Sequence, residues 1–380
     1  MRRLLVVAVA LAWPATLAAQ ASIFGIRGPG LPGRPYSARA VATSGSFALF
    51  DPESSLGPGS LGYVGVAAGT FTVVGDYRSV TTNAGSDNLS STRFPQTMVT
   101  TPFLNGRFVA GLSASLYTNR DYAIVTVDTT TLFDQQVVQL DSIGSRGSLS
   151  DFRFAVAYRG LRQTTVGGGI HFITGAARQA IVRRFISDSG FAAVVQRAEV
   201  AGSGIGLSIG ATRAVGPQLW IGGVVRKDFR LSIDADSNDA GSFALPWTFA
   251  GGVRYRLKPR VDVAGQVMYR TWSAVDSFLV AGGAPGADNT IDLSAGVELV
   301  QSLLRPGHLP VRVGFRYATL PYPTFAGSQP SEIAISGGTG LRFAKDRAGI
   351  DFTLDKVWRS DGEGRKENAW LIYVAASLRP

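Results

Sequence analysis

Apolar and polar residues alternate along most of the chain after residue 60. One run places Val311, Val313, Phe315 and Tyr317 at every second position. Side chains of a β-strand point alternately to the two faces of a sheet, whereas an amphipathic helix repeats about every 3.6 residues. No stretch of comparable helical periodicity interrupts the alternation. The pattern therefore predicts an all-β protein.

Breaks between the alternating runs divide this region into strands. We count about 14 of them, an even number within the range of bacterial outer-membrane barrels. The predicted strands cover residues 63–78, 94–104, 106–127, 135–159, 163–186, 193–213, 217–234, 243–257, 260–276, 287–303, 309–322, 330–344, 348–360 and 367–379.

The links between these strands alternate in length. After the even-numbered strands the chain turns within a few residues, as at Asn105-Gly106 and Lys258-Pro259. After odd-numbered strands the links are longer and rich in Gly, Ser, Asp and Asn, as in residues 277–288. Short turns at one end and longer loops at the other are typical of outer-membrane barrels, whereas a soluble β-sandwich or propeller gives no reason for this asymmetry. We therefore predict a transmembrane antiparallel β-barrel with both termini on the periplasmic side.

The facing of charged residues supports a membrane location. In the strand at 260–276, Val261, Val263 and Val267 share one face, and Asp262 and Arg270 lie on the other. An Arg or Lys that faces lipid at the bilayer midplane costs roughly 2–4 kcal/mol, so the polar face is expected to line the lumen. The same alternation predicts further inward-facing charges at Arg254, Arg256, Asp292, Glu298, Arg312, Arg316, Glu332, Arg342, Asp351 and Asp355.

The first 21 residues predict export from the cytoplasm. Arg2 and Arg3 precede an apolar stretch at residues 4–12, and Ala19-Gln20-Ala21 has the small residues that signal peptidase recognises. The chain contains no Cys, which excludes disulfides, thiolate zinc sites and a cysteine nucleophile. The net charge is +10, but the basic residues are spread along the chain, so nucleic acid is not an expected partner.

Residues 22–62 lack strand periodicity and are rich in small and turn-forming residues, as in Gly28-Pro29-Gly30. This segment resembles the N-terminus of the FadL-type outer-membrane hydrocarbon transporters, which reads A-R-A, G-G-A-F, D-P-S-A-L and N-P-A-G-L. The matching positions are Ala38, Arg39, Ala40, Gly45, Phe47, Asp51, Pro52, Ser54, Leu56, Pro58 and Leu61. The resemblance implies a plug, or hatch, at 22–62 inside a 14-stranded barrel at 63–380, with a signal peptide at 1–21.

The resemblance also implies a function, which is uptake of hydrophobic small molecules such as long-chain fatty acids or other hydrocarbons across the bacterial outer membrane. A lumenal Arg is the natural partner of a ligand carboxylate. The candidate ligand-binding residues are Phe47, Phe50, Arg254, Arg270, Arg312 and Arg316. For the Arg residues, structural ion pairs with Asp262, Glu298 or Glu332 are the alternative. Expected partners are outer-membrane lipids and a hydrophobic ligand, with no cofactor and no metal; a monomer is expected.

Two other functional classes stay open at this point. A hydrolase needs a Ser beside a His base, and the only His residues are His171 and His308, neither within a recognisable nucleophile motif. A hydrogen-bonded structural role in the barrel is the simpler expectation for His171. A structural or secretion-accessory barrel without a through-path is the alternative to a transporter, and the sequence does not separate these two.

Overall fold

A computed structural model describes residues 22–82, 85–132, 135–186, 192–236, 238–300, 309–323 and 327–380. The predicted signal peptide at 1–21 and His308 lie outside these residues. A single 17-stranded antiparallel sheet accounts for most of the described chain. The strands are β1 (Leu31–Pro32), β2 (Ala68–Thr82), β3 (Gly85–Phe103), β4 (Phe108–Asn119), β5 (Tyr122–Leu132), β6 (Gln135–Leu161), β7 (Thr164–Phe185), β8 (Val194–Ala214), β9 (Leu219–Ala235), β10 (Asn238–Ala244), β11 (Trp247–Lys258), β12 (Val261–Arg270), β13 (Thr290–Val300), β14 (Pro310–Thr319), β15 (Ser331–Phe343), β16 (Ala348–Ser360) and β17 (Lys366–Leu378).

The sheet closes on itself as a barrel of 14 strands. The first and last barrel strands, β2 and β17, pair from Thr81 with Lys366 to Gly69 with Leu378. Two barrel strands consist of two pieces, because β4 and β5 both pair with β6, and β10 and β11 both pair with β9. The predicted fold class and strand number are therefore confirmed.

Alternation along the strands separates two faces. In β14, Arg312 and Arg316 are buried, whereas Val311, Val313 and Phe315 between and beside them are about half exposed. Outward-facing Phe, Ile, Leu and Val recur on every side of the barrel and form an apolar outer surface. The polar face lines the lumen, as the sequence predicted. Among the described residues, no helix combines the length and the apolar character needed to cross a membrane.

Several predicted boundaries are wrong. Strand β2 begins at Ala68 instead of residue 63, because the 3-10 helix Pro58–Tyr63 precedes it. The predicted link between the strands at 63–78 and 94–104 is largely strand, since β3 already begins at Gly85. The predicted strand at 260–276 ends at Arg270, and the chain then forms the 3-10 helix Trp272–Val275 and a helix, α2 (Asp276–Ala281). Trp272, Val275 and Leu279 in these two helices are buried and give the helices an apolar side.

Residues 22–64, which we call the N-terminal segment, are largely buried and contact the inward face of the barrel strands. Helix α1 (Ala38–Val41) begins after Ser37, whose hydroxyl accepts a hydrogen bond from the backbone N–H of Ala40 at 3.0 Å. The Ala38 carbonyl accepts a hydrogen bond from Thr353 Oγ1 on β16 at 2.8 Å. The segment was expected to have no strand partner, but β1 pairs with the end of β4.

The wall makes room for this segment with glycines. On β14, a Cβ added to Gly314 would lie 2.1 Å from the backbone carbon of Thr43. On β7, a Cβ at Gly167 would lie 2.6 Å from the Pro58 carbonyl oxygen. Real Cβ atoms do not approach other atoms so closely, so a larger residue at either position would displace the segment. The inward-facing glycines therefore fix how closely the N-terminal segment packs against the wall.

Candidate functional site

Two of the predicted ligand-binding residues, Arg312 and Arg316, are buried in ion pairs. The Arg312 Nε lies 3.1 Å from Glu298 Oε1, and its Nη1 lies 2.8 Å from Asp351 Oδ1. The Arg316 Nη2 lies 2.9 Å from Glu332 Oε1. Both guanidinium groups already have carboxylate partners, so the alternative of structural ion pairing is the arrangement present at these two sites.

The same carboxylates also bind the N-terminal segment. Arg39 Nη2 lies 2.7 Å from Glu298 Oε2, and Arg34 Nη2 lies 2.9 Å from Glu332 Oε1. Each acid therefore joins a barrel Arg to an Arg of the segment. Breaking a buried pair by removing one partner costs about 3–5 kcal/mol. This arrangement anchors the segment to the wall in the half of the lumen that contains α1.

The predicted residues Phe47, Phe50 and Arg254 lie close together. Arg254 Nε lies 3.0 Å from Asp262 Oδ2, and its guanidinium carbon lies 5.8 Å from the centre of the Phe47 ring. Phe50 and Arg254 line a cavity of about 510 Å³. Glu53 lines it too, and burial together with nearby Asp51 raises the pKa of Glu53. This cavity opens near the C-terminus, on the side of the N-terminal segment that faces β2.

The fourth predicted Arg, Arg270, contacts the N-terminal segment through the backbone. Its Nη1 and Nη2 both lie 3.2 Å from the Gly33 carbonyl oxygen, and its Nε has no hydrogen-bond partner among the described residues. Nearby, burial raises the pKa of Tyr36 to about 12, so its hydroxyl stays a neutral hydrogen-bonding group. Phe47 and Phe50 belong to the N-terminal segment and the four predicted Arg residues lie around it, so the structure does not gather the six residues into one pocket.

His171 is buried and both of its ring nitrogens have partners. Nδ1 lies 2.9 Å from Asp151 Oδ1, and Nε2 lies 2.9 Å from Ser208 Oγ. This is the order of partners in a Ser–His–Asp triad. Asp151 is also bound by Arg226 Nη1 at 2.5 Å, and Ser208 is buried in the wall. His171 thus sits in a satisfied hydrogen-bond network, the arrangement that the sequence favoured.

A different group of residues forms an apolar cluster at the end of the lumen opposite the C-terminus. We call it the α2 cluster because α2 packs against it. Its rings meet at short distances, with the Trp272 and Tyr322 centroids 5.9 Å apart and those of Phe243 and Phe278 4.9 Å apart. The buried members of the cluster are Leu149, Ile173, Leu231, Phe243, Leu245, Trp272, Val275, Leu279, Ala287 and Tyr322.

A cavity of about 150 Å³ lies within the α2 cluster. Leu149, Phe243 and Leu279 supply apolar walls, Gly28 of the N-terminal segment closes one side, and Arg120 is the charged side chain that lines it. The Nε of Arg120 is buried and has no hydrogen-bond partner among the described residues. Apolar walls with one unpaired polar group are typical of small-molecule pockets.

The barrel wall is incomplete beside this pocket. Strand β3 pairs with β4 only from Gln96 to Phe103, and over the described residues β5 pairs with β6 alone. Residues 85–95 of β3 therefore have no strand partner on the side of β5 in the described part of the chain. A barrel normally leaves no unpaired edge, because membrane lipid offers the backbone no hydrogen bonds. This place in the wall is a lateral gap.

The N-terminal segment borders the gap. Leu31 pairs with Asn119 at the end of β4, and the backbone N–H of Ser22 donates a hydrogen bond to the Asp121 carbonyl oxygen at 3.2 Å. The Asp121 carboxylate in turn accepts a hydrogen bond from the Gly147 N–H at 2.6 Å. The break between β4 and β5, the pocket and the start of the N-terminal segment therefore meet at residues 119–121.

These residues were not predicted as a site, because the alternation predicted one continuous strand at 106–127. A signal is present in Asn119-Arg120-Asp121, where three consecutive polar residues interrupt the alternation. Three polar residues in a row cannot all face away from lipid in a regular strand, since neighbours point to opposite faces. The contribution of α2 was also missed, because its apolar residues were assigned to a strand and a loop.

Several solved structures share this architecture. The crystal structure of a Pseudomonas aeruginosa FadL homologue aligns with a TM-score of 0.66 at 11% identity, covering 92% of this chain and 99% of that one. The P. putida toluene transporter TodX aligns with a TM-score of 0.59 at 12% identity, covering 92% and 99%. CymD, a monoaromatic hydrocarbon channel, gives 0.56 at 13% identity, covering 92% and 98%.

Sequence comparisons add nothing to this likeness, because no protein-family model and no curated protein sequence matches the chain. Identities of 11–13% carry the fold and not the activity. The alignment spans nearly the whole of both chains, so the likeness extends around the barrel. The chain therefore has the fold of the FadL-type outer-membrane proteins, as the resemblance in its N-terminal segment predicted.

Proposed function

We propose that this protein takes up hydrophobic small molecules across the bacterial outer membrane. The observation that carries the proposal is the meeting of an apolar pocket, a gap in the barrel wall and the N-terminal segment at residues 119–121. A molecule that partitions into the membrane would reach the pocket through the gap without crossing the charged part of the lumen. The structural neighbours include a toluene transporter and a monoaromatic hydrocarbon channel, which supports this substrate class.

The outer surface of the barrel supports this location. Exposed apolar side chains cover the outside of the barrel, and their burial in lipid contributes about 25 cal/mol for each Å² removed from water. With a signal peptide at residues 1–21, the chain would be exported and inserted as a monomer in the outer membrane. In this proposal residues 22–62 are the hatch, which separates the α2 cluster from the cavity near the C-terminus.

Release requires the hatch to move. The cavity in the α2 cluster and the cavity of about 510 Å³ near the C-terminus lie on different sides of the N-terminal segment. A bound molecule in the first would pass to the second only after the contacts of the N-terminal segment with the wall loosen. The pocket accepts an uncharged hydrocarbon through its apolar walls, and Arg120 would add an anchor for a fatty-acid carboxylate.

Filling the pocket tests the proposal. Ala177 lines the cavity and is buried, so Ala177→Phe places a ring in it. The matched control is Ala376→Phe on the outward face of β17, far from the pocket. Uptake of radiolabelled oleate and toluene is measured in cells that lack their own transporter and express each variant. We expect uptake with the unaltered protein and with Ala376→Phe, and at least tenfold less with Ala177→Phe.

Two results contradict the proposal. If the unaltered protein supports no uptake of either compound above cells with empty vector, the function is not transport and an accessory barrel is favoured. If Ala177→Phe transports as well as the control while both barrels assemble to the same level, the cavity in the α2 cluster is not on the path.

A further inference from the structure

On the outward face of the described strands, Lys356 and Lys227 each lie between apolar neighbours. Lys356 lies on β16 between the exposed residues Leu354 and Trp358, and Lys227 lies on β9 between Val225 and Phe229. Both ammonium groups lie over Trp rings. Lys356 Nζ is 4.6 Å from the centre of the Trp370 ring and 5.5 Å from that of Trp358. Lys227 Nζ is 5.1 Å from the centre of the Trp247 ring.

The two lysines differ in their hydrogen bonds. Lys227 Nζ donates to the Leu245 carbonyl oxygen at 3.1 Å. Lys356 makes no hydrogen bond or ion pair with the described residues, although its ammonium has three donors. Cation–π contacts offset part of the cost of a charge beside lipid but accept none of these three N–H groups as an ordinary acceptor does. Lys356 therefore has donors that the protein leaves for an external acceptor.

The depth of Lys356 identifies where that acceptor would be. In register, Lys356 pairs with Trp370, which pairs with Tyr77 on β2. On the side of the C-terminus this row is followed by Ile372 and Val374, and on the other side by Asn368. The row thus marks the boundary of the apolar band at the end opposite the C-terminus. Trp and Tyr at such boundaries lie at the level of lipid headgroups.

Charge on this surface favours an anion. The outward-facing residues of β15, β16, β17 and β2, all within the described chain, include no Asp or Glu. A second cation, Lys366, lies on the same face of β17, four residues beyond Trp370 and so about 13 Å along the strand. Exposed aromatic rings on either side supply area for acyl chains, since Tyr77 is 57% and Trp370 46% exposed.

We propose that Lys356, with Trp358, Trp370 and Tyr77 around it, is a binding site for the phosphate of an anionic membrane lipid in the leaflet at this end of the barrel. The phosphate oxygens accept the ammonium donors that the protein does not use, and the acyl chains lie on the apolar band below. The site is separate from the pocket in the α2 cluster, and it adds a specific lipid partner to the transport function.

Native mass spectrometry of the full chain in detergent micelles tests the site. The protein is titrated with dioleoyl phosphatidic acid, and in parallel with zwitterionic dioleoyl phosphatidylcholine. Lys356→Gln is expected to weaken phosphatidic acid binding about fivefold, the effect of ~1 kcal/mol for one basic side chain near an anionic lipid surface. Lys356→Arg should keep most of the affinity. Lys227→Gln is the matched control and should bind as the unaltered protein does.

Four results would overturn the proposal. The site is wrong if Lys356→Gln binds phosphatidic acid normally, or if Lys227→Gln loses as much affinity as Lys356→Gln. Displacement of the lipid by millimolar inorganic phosphate would show that the site recognises free phosphate and not a lipid. If Lys356→Gln lost as much affinity for phosphatidylcholine as for phosphatidic acid, the aromatic rings alone would hold the acyl chains. Circular dichroism spectra of the variants that match the unaltered protein would show that the changes in lipid affinity do not come from misfolding.

Discussion

The two halves of the lumen are built on different principles. Around α1, nearly every charged group has a partner, and Glu332 alone contacts Arg34, Arg316 and Arg359 within 2.9 Å. Around α2, the side chains are apolar, a cavity remains, and the buried polar atoms Trp272 Nε1, Tyr322 Oη and Arg120 Nε have no partner among the described residues.

This difference separates the half of the lumen that holds the N-terminal segment in place from the half proposed to bind a ligand. A network of buried ion pairs holds one geometry, because any displacement leaves a charge without its partner. An apolar cavity with unpaired polar atoms gains from a guest that fills the space and accepts the hydrogen bonds. Under the proposed function, the first half retains the N-terminal segment and the second half binds the ligand.

The largest effect is expected from removing the segment itself. Deletion of residues 22–62 takes away the backbone that fills the lumen from β1 to the 3-10 helix Pro58–Tyr63. We expect an assembled barrel whose ion conductance in planar bilayers rises many-fold, because the closed 14-strand sheet supplies its own pairing. Conductance equal to that of the intact protein would mean that the segment does not occlude the lumen.

A smaller effect is expected from breaking the ion-pair network. Glu332→Gln leaves three Arg side chains around a neutral amide, and the free energy of unfolding should fall by about 3–5 kcal/mol. The control is Glu199→Gln, which breaks the exposed pair with Arg178 and should cost at most about 1 kcal/mol. Urea unfolding in lipid vesicles measures both. Equal losses of unfolding free energy in the two variants would contradict the special stability of the buried network. The affinity for oleate should be the same in both variants.

The smallest effect is expected at the pocket. If a fatty acid binds with its carboxylate on Arg120, Arg120→Ala should weaken oleate binding by about 1.5–3 kcal/mol, the range for a hydrogen bond to a charged group. Affinity for an uncharged hydrocarbon of equal length should change little. Arg312→Ala is the comparison, because its guanidinium is already paired with Glu298 and Asp351.

Two patterns of affinity loss would contradict binding of the carboxylate at Arg120. Calorimetry with both ligands is carried out on both variants in the same detergent. A selective loss of oleate binding in Arg312→Ala, with none in Arg120→Ala, would place the ligand site at Arg312, as the sequence predicted. Equal loss of both ligands in Arg120→Ala would show that Arg120 supports the pocket walls and does not bind a carboxylate.

Much of the barrel was predictable from local patterns. The strand count, the closed antiparallel sheet and the inward facing of residues such as Arg312 and Glu332 follow from a period of two and from the cost of placing charge in lipid. The hatch assignment came from a resemblance in residues 38–61. The strand ends and α2 were not predicted, because an apolar run near a strand end is compatible with either a strand or a helix.

Alternation along the strands predicted which side chains face inward, but the folded barrel is needed to show which of them already have an ion-pair partner. Arg312 and Arg120 are both single basic residues within predicted strands. Arg312 meets carboxylates from β13 and β16, whereas Arg120 lies where β4 ends and no acid is bound to its Nε in the described chain. The carboxylates that pair with Arg312 come from other strands, so the folded sheet, and not the local sequence pattern, determines whether an Arg forms an ion pair.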